Sequence, residues 1–200
     1  MVVSKFKILI AFFILIMTQF SYANPIKIDI LKKNAEQGYA RDQHALAVAY
    51  RYGNGVEENY KEAVHWYQLA SDQGYAESQY NLGVMYEEGK GVKQDKKEAV
   101  KWYQSSANRG FKWAQHKIAV LYRFGKGVPH AYEKSLEFYR LAAEQGFAES
   151  QYNLGVMYDQ GKGVKQDKEE AMKWYKLSAD QGFSWAVKAL KKAEVDSIFW

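Results

Sequence analysis

The sequence predicts an all-α solenoid: four helix–turn–helix units of 36 residues, with a single capping helix at each end. Three observations predict it. All 15 glycines fall on one lattice of period 36. Between them, apolar residues recur at spacings of three and four, the pattern of helices with one buried face. The two ends of the chain carry one helix each in the same frame.

The lattice is explicit. Gly38, Gly74, Gly110, Gly146 and Gly182 open the frame at intervals of 36, and we count that glycine as position 1 of each unit. Gly53, Gly89, Gly125 and Gly161 stand at position 16, and Gly55, Gly91, Gly127 and Gly163 at position 18. Gly83 and Gly155 stand at position 10. The units are residues 38–73, 74–109, 110–145 and 146–181. Units two and four are identical at 27 of 36 positions, which points to an internal duplication; units one and three keep the frame and diverge further.

Residues 1–23 read as an export signal rather than as part of the fold. Lys5 and Lys7 precede the apolar run Ile8–Met17, and Ser21-Tyr22-Ala23 offers small residues before a cleavage point at Asn24. Ten apolar residues rise only about 15 Å as a helix, half of what a bilayer core requires. An uncleaved anchor is the alternative reading. Cleavage predicts a periplasmic or secreted protein with no stable membrane insertion. It also lowers the net charge from +5 to +3, since two lysines and no acids are lost. So mild a charge does not suit nucleic acid. The absence of Cys removes disulfides, thiolate zinc sites, iron–sulfur clusters and cysteine nucleophiles, as well as lipoprotein processing.

Residues 24–37 form the N-terminal cap. Asn24-Pro25 suits a helix start, and Ile26–Gln37 lies in the frame of a second helix, with Ile30 and Leu31 where the units carry Trp-Tyr. Unit two is the clearest of the four. Its first helix is expected from Ala76 to Glu88, with Leu82, Met85 and Tyr86 on the apolar stripe. Gly83 interrupts it at a cost of about 1 kcal/mol against Ala. Units one and three have Ala47 and Ala119 there, so the position demands smallness. Gly89 ends the helix by accepting the left-handed backbone. Asp95 with Glu98, and Asp167 with Glu170, read as capping boxes that start the second helices. Ala99, Trp102, Tyr103 and Ala107 give the second helix its buried face. Unit three has Ala131 in place of the capping Asp, after Pro129-His130, so its turn is expected to be the least well held. Residues 182–200 hold the C-terminal cap, a first helix over Phe183 to Glu194 with Lys191 and Lys192 facing solvent. The tail Ile198-Phe199-Trp200 either folds back over the last unit or binds a partner.

The pattern A-x-x-Q-x-x-L-G-x-x-Y-x-x-G-x-G-V-x-x-D…A-x-x-W-Y-x-x-(S/A)-A-x-x-G runs through unit two as Ala76, Gln79, Leu82-Gly83, Tyr86, Gly89, Gly91-Val92, Asp95, Ala99, Trp102-Tyr103 and Ser106-Ala107. It resembles the Sel1-like repeat, a relative of the tetratricopeptide repeat. Unit three departs most, with Lys112, Ile118-Ala119, Ala131, Ser135 and Phe138. The resemblance implies a right-handed α-solenoid that binds a protein or peptide on a curved surface and uses no catalytic residue. The chain is expected to be a monomer with no metal or cofactor. Small periplasmic Sel1-like proteins accompany secreted antibacterial effectors as immunity proteins, and exported ones in intracellular bacteria serve as scaffolds or host-interaction factors. Cysteine-rich members linked with penicillin binding suggest a remote enzyme alternative, but this chain lacks their cysteine pairs.

Searching for chemistry directly finds little. The sequence contains no H-E-x-x-H, G-x-S-x-G or P-loop, and the S-x-x-K match at Ser4–Lys7 lies in the signal. His44, His65, His116 and His130 suit surface or groove positions better than a metal site. The Gly-Lys-Gly loops read as turns rather than phosphate cradles.

By analogy with the tetratricopeptide fold, the variable positions of the first helices are the candidate contact surface. Position 4 holds Arg41, Glu77, Trp113, Glu149 and Trp185; position 7 holds His44, Tyr80, His116 and Tyr152; position 8 holds Asn81, Lys117 and Asn153 in units two to four. Positions 14 and 15 hold Arg51-Tyr52, Glu87-Glu88, Arg123-Phe124 and Asp159-Gln160. Odd units are basic and aromatic, even units acidic with Tyr and Asn. The alternation either holds the stack together or shapes the surface. Trp113 and Trp185 stand where neighbouring units have Glu, so the lattice does not demand them. Trp113, Arg123 and Phe124 lead the candidates, followed by His116, Lys117, Tyr80, Asn81, Tyr152, Asn153, Arg51, Tyr52 and Trp185.

Overall fold

The computed structural model describes residues 25–198, and the expected signal segment and the terminal Phe199-Trp200 lie outside them. Among the described residues, ten α-helices follow one another. Helix α1 (Pro25–Glu36) is the N-terminal cap. The units are α2 (Ala40–Tyr52) with α3 (Tyr60–Asp72), α4 (Ala76–Glu88) with α5 (Lys96–Asn108), α6 (Lys112–Phe124) with α7 (Tyr132–Glu144), and α8 (Ala148–Gln160) with α9 (Lys168–Asp180). Helix α10 (Ser184–Ile198) closes the array and runs four residues beyond the expected end at Glu194. Each helix packs chiefly against the one before and the one after, so the hairpins stack as a solenoid.

Two features set each hairpin. At position 9, Leu46, Leu82, Ile118 and Leu154 are fully buried, each contributing about 1.5–3 kcal/mol of apolar transfer. At position 10 the helices approach closely: a Cβ added to Gly83 would lie 2.8 Å from the Tyr103 ring and 3.1 Å from the Ala99 carbonyl. Tyr67, Tyr103, Tyr139 and Tyr175 fill the space opposite and are buried.

The turn between the helices is held by backbone. The N–H at position 22 donates to the carbonyl at position 13 in every unit: Asn59 to Tyr50, Asp95 to Tyr86, Ala131 to Tyr122 and Asp167 to Tyr158, at 2.9–3.0 Å. This corrects the expected capping boxes. Asp95 Oδ1 accepts from the N–H groups of Lys97 and Glu98, but Glu98 does not reach back, because the Asp95 N–H is already bonded. The Glu98 carboxylate takes Lys101 instead, and Glu170 takes Lys173 and Trp174. Ala131 makes no side-chain cap, as its sequence requires. Asn59 supplies the cap in unit one.

The Gly-x-Gly loops are packing elements. Gly91 has φ +71°, and a Cβ there would lie 2.2 Å from the carbonyl oxygen of Tyr60, at the start of the preceding unit's second helix. Gly163 meets Tyr132 in the same way. At Gly127 the neighbour is instead the Val100 side chain, 3.2 Å from an added Cβ.

Junctions between units are polar and periodic. The position 6 glutamines, Gln43, Gln79, Gln115 and Gln151, are buried and donate to carbonyls at the end of the preceding second helix: Ala35, Ser71, Ala107 and Ala143. Each of these carbonyls also accepts from the backbone N–H of the glycine that follows the helix, Gly38, Gly74, Gly110 or Gly146, so the glutamine amide is a second donor to it. Gln73, Gln145 and Gln181, at position 36, then donate to Gln43, Gln115 and Gln151 at 2.7 Å. Unit two has Arg109 at this place, so the buried Gln79 Oε1 has no partner.

Histidines alternate with tyrosines at position 7. His44 Nδ1 lies 2.9 Å from Ser78 Oγ, and His116 Nδ1 lies 2.8 Å from Ser150 Oγ, each across the junction to the next unit. Tyr80 and Tyr152 pack against Phe111 and Phe183 with ring centroids 5.5 Å apart, as His44 and His116 do against Tyr75 and Phe147 at 5.0 Å. Position 29 carries Trp66, Trp102, Phe138 and Trp174. Its counterpart in the N-terminal cap, Ile30, is 56% exposed, with no unit before it among the described residues. Lys191 and Lys192 are exposed at the other end.

Two consequences are measurable. Gly91→Ala is expected to destabilise the fold by about 3 kcal/mol or more, because left-handed strain adds to a backbone clash. Gly110→Ala, with φ +88° and nothing within 4 Å, is expected to cost about 1–2 kcal/mol of strain alone; urea melts followed by circular dichroism compare the two. Burial also lowers the pKa of His44 and His116 below 6.5, against the pull of Glu77 and Glu149. Between pH 6.5 and the lower folded-state values the unfolded chain therefore binds more protons, so stability falls on acidification through that window. Melting temperatures of the wild type are expected to drop between pH 7.5 and 5.5 and to flatten in a His44→Gln, His116→Gln double variant.

Candidate protein-interaction face

Positions 4, 8, 11 and 15 of a helix lie on one stripe, since eleven residues turn it through about 1,100°, or 20° past three full turns. On α6 that stripe carries Trp113, Lys117, Val120 and Phe124. The equivalent stripe of α2 carries Arg41, Ala45, Val48 and Tyr52. Of the eight large exposed apolar side chains among the described residues, four lie at these positions on first helices: Tyr52, Trp113, Phe124 and Trp185. Their exposures, 60%, 49%, 59% and 59%, are high for aromatic rings, so this face is not part of the core.

Each ring is held by a neighbour. Trp113 meets Phe147 of the next unit edge-on, with centroids 4.6 Å apart. The Arg51 guanidinium stands 5.3 Å from the Tyr52 ring centre, and Arg123 stands 5.4 Å from Phe124, with Lys126 on the same ring at 5.6 Å. Lys188 lies over Trp185 at 5.2 Å.

The alternation of charge has a geometric basis. Position 14 of one unit meets position 8 of the next. Arg51 Nη1 donates to Asn81 Oδ1 at 3.0 Å, and Arg123 Nη1 donates to Asn153 Oδ1 at 2.8 Å. Between units two and three the pair is ionic: Lys117 Nζ lies 3.0 and 2.9 Å from the two oxygens of Glu87. Tyr103 also donates to Glu87, at 2.7 Å. Although burial opposes it, these hydrogen bonds from Tyr103 and Lys117 hold the Glu87 carboxyl below the usual range. Burial pushes the Tyr67 and Tyr139 hydroxyls up to about 12, against the nearby Arg51 and Arg123. Units one, two and three thus each offer the next a complementary partner.

The candidates are therefore brought together in two ways. Tyr80, Asn81, His116, Lys117, Tyr152 and Asn153 sit in the junctions, part-buried or engaged across them. Trp113, Phe124, Tyr52 and Trp185 project outward, and Arg51 and Arg123 span both settings. Three groups also line up as acid, imidazole and hydroxyl: Glu149 Oε1 lies 3.5 Å from His116 Nε2, and His116 Nδ1 lies against Ser150 Oγ. Ser150 is fully buried, so a nucleophile there has no access to substrate, and the set reads as a junction contact. His65 stacks edge-on with Trp66, and His130 with Tyr132. Among the described residues, no group of three or more His, Asp or Glu side chains is placed to hold a metal ion. No described helix is long and apolar enough to cross a membrane. The position 14-to-8 pairing was the signal that sequence reasoning missed: Arg faces Asn and Glu faces Lys at a constant offset of 30.

Comparison with known proteins follows from this geometry. The Sel1 repeat matches residues 40–75, 76–111, 114–147 and 148–183. No curated protein matches the chain. Among solved structures, a protective antigen present in uropathogenic Escherichia coli strains, which displays an SLR fold, is 39% identical with a TM-score of 0.75. The alignment covers 79% of this chain and 34% of that one. A Sel1 repeat protein from Oxalobacter formigenes is 37% identical with a TM-score of 0.79, over 82% of this chain and 47% of the other. An immunity protein from Pseudomonas aeruginosa is 28% identical with a TM-score of 0.51, over 80% and 59%. The chain spans about a third to three-fifths of the length of these three proteins. With four matching repeats, the stacked hairpins and these likenesses, the chain belongs to the Sel1 repeat family.

Proposed function

We propose that the chain is an exported adaptor that binds a protein partner on its first-helix face. Sel1 repeat proteins are in general binding or scaffold proteins rather than enzymes, which supports the broader reading. The observation that carries the finer one is the set of exposed aromatic side chains, Tyr52, Trp113, Phe124 and Trp185, at lattice positions where even units carry Glu or Gln. The fold does not require them, and Trp, Tyr and Arg are the residue types that dominate binding energy at interfaces. The partner we infer is a secreted antibacterial effector, which the chain neutralises as an immunity protein. The likeness to the Pseudomonas immunity protein supports this reading. A second reading, an envelope scaffold or host-interaction factor, draws on the likeness to the protective antigen.

Affinity purification of the tagged protein from the periplasm, followed by mass spectrometry, separates them. An immunity protein is expected to retain one dominant partner with nanomolar affinity; several weakly held partners favour the scaffold. Trp113→Ala and Phe124→Ala are each expected to weaken capture by roughly 30-fold or more, the effect of losing about 2 kcal/mol. Unchanged capture with unchanged helicity sinks this face as the binding surface. Export predicts that intact-mass analysis of the periplasmic protein finds Asn24 as its first residue; a cytoplasmic protein retaining residues 1–23 overturns it.

A further inference from the structure

The two odd units present the same constellation twice. In unit one, Arg51 donates through Nη1 to Asn81 and stands beside the exposed Tyr52 ring. In unit three, Arg123 donates through Nη1 to Asn153 and stands beside the exposed Phe124 ring. Both arginines are held by a neutral amide rather than by a carboxylate. All five ion pairs among the described residues use Lys or His, and none uses an arginine. Neither guanidinium forms an ion pair among the described residues; one of its five N–H donors is oriented by the next unit, and the buried Tyr67 or Tyr139 hydroxyl lies close by. A guanidinium held in this way loses little freedom on binding a carboxylate, and the adjacent ring offers apolar area to whatever flanks that carboxylate.

Between the stations, the carboxylates at positions 14 and 15 of unit two are paired: Glu87 with Lys117 and Tyr103, and Glu88 with Lys90 at 2.9 Å. A segment crossing from unit one to unit three at these positions thus passes paired carboxylates, with Glu77 ten residues away at position 4 of the same helix. First helices of adjacent units lie side by side, as the Arg51–Asn81 and His44–Ser78 bonds require. Helices standing side by side at about their own diameter, roughly 10–12 Å, put the stations on the order of 20 Å apart. An extended chain covers that distance in about six residues.

We infer that Arg51 with Tyr52 and Arg123 with Phe124 are two equivalent stations for one extended acidic segment of a protein partner, whose two carboxylates stand about six residues apart. This rests on the adaptor reading above and specifies the chemistry of its partner. Charge complementarity selects the occupant: the stations supply positive charge and aromatic surface together, which suits Asp or Glu flanked by apolar side chains.

The test is a titration of the 15N-labelled protein with synthetic nine-residue peptides, followed through the arginine Nε–Hε resonances. The probe carries Glu at its second and eighth residues and Phe beside each. The Arg51 and Arg123 resonances are expected to shift together, with an affinity at least tenfold above that of the same peptide with Gln for Glu, and with weakening as salt rises. Moving the glutamates to three residues apart is expected to lose most of that advantage. Arg51→Gln and Arg123→Gln are each expected to lower affinity at least tenfold. Tyr52→Ala and Phe124→Ala, which leave the bonds to Asn81 and Asn153 in place, are expected to lower it without loss of helicity. Equal binding of the Glu and Gln peptides, a shift at only one arginine, or indifference to spacing overturns the inference. The adaptor reading is tested separately by partner capture: retained capture that responds to Trp113→Ala but not to Arg51→Gln and Arg123→Gln leaves that reading standing and the acidic-segment inference refuted.

Discussion

One buried hydrogen bond recurs at four junctions, from the N-terminal cap to unit four, and the rest of the stack depends on it. The glutamine at position 6 of each first helix donates to a carbonyl at the end of the preceding second helix. The glutamine side chains are buried, and a buried amide left without a partner costs about 1–3 kcal/mol. Only one register of neighbouring hairpins satisfies it. Once that register is set, position 14 falls opposite position 8 of the next unit, position 7 opposite positions 2 and 5, and position 36 beside the glutamine itself. Apolar burial supplies more of the stability. It is tolerant of sliding, however, whereas the amide bond is not.

Much of this was legible in the residues. The glycine at position 16 and the Asp or Asn at position 22 gave the ends of the helices around each turn, and the first helix of unit two runs from Ala76 to Glu88 as expected. The small residue at position 10 announced a close approach, which the Tyr103 ring makes. Other features depend on partners outside the local pattern. Whether Glu98 returns to Asp95 is decided by the Tyr86 carbonyl, which lies nine residues upstream and has already taken the Asp95 N–H. The exposure of Ile30 depends on there being no preceding unit among the described residues. The charge alternation stayed ambiguous because periodicity within one unit says nothing of the offset between units. With the offset of 30 in hand, Arg51 with Asn81, Glu87 with Lys117 and Arg123 with Asn153 become one contact written three times.

That contact makes the true structural period two units rather than one. Junctions leaving odd units use Arg with Asn and His with Ser; the junction leaving unit two uses Glu with Lys and Tyr with Phe. Either set closes a junction, but a mixed set does not. Arg facing Lys places like charges together, and Glu facing Asn leaves a carboxylate without its cation. The near-identity of units two and four and the shared chemistry of units one and three follow from this matching. Duplication by pairs preserves every junction, whereas duplication of a single unit creates at least one mismatch.

The same matching explains why the exposed face is organised rather than merely apolar. On α6, Arg123 is steered by Asn153 of the following unit, Trp113 is propped by Phe147, and Lys117 is drawn to Glu87 of the preceding one. The face of unit three is therefore a composite of α6 with groups from both neighbours, and an isolated hairpin would lack it. Side chains held this way surrender less conformational freedom on binding than free ones, about 0.5–1.5 kcal/mol for each that is ordered in advance. The residues that join the units are thus also those that orient the residues left exposed. Stacking and recognition on this solenoid draw on one set of contacts, so a substitution that loosens a junction changes the shape of the face before it unfolds the chain.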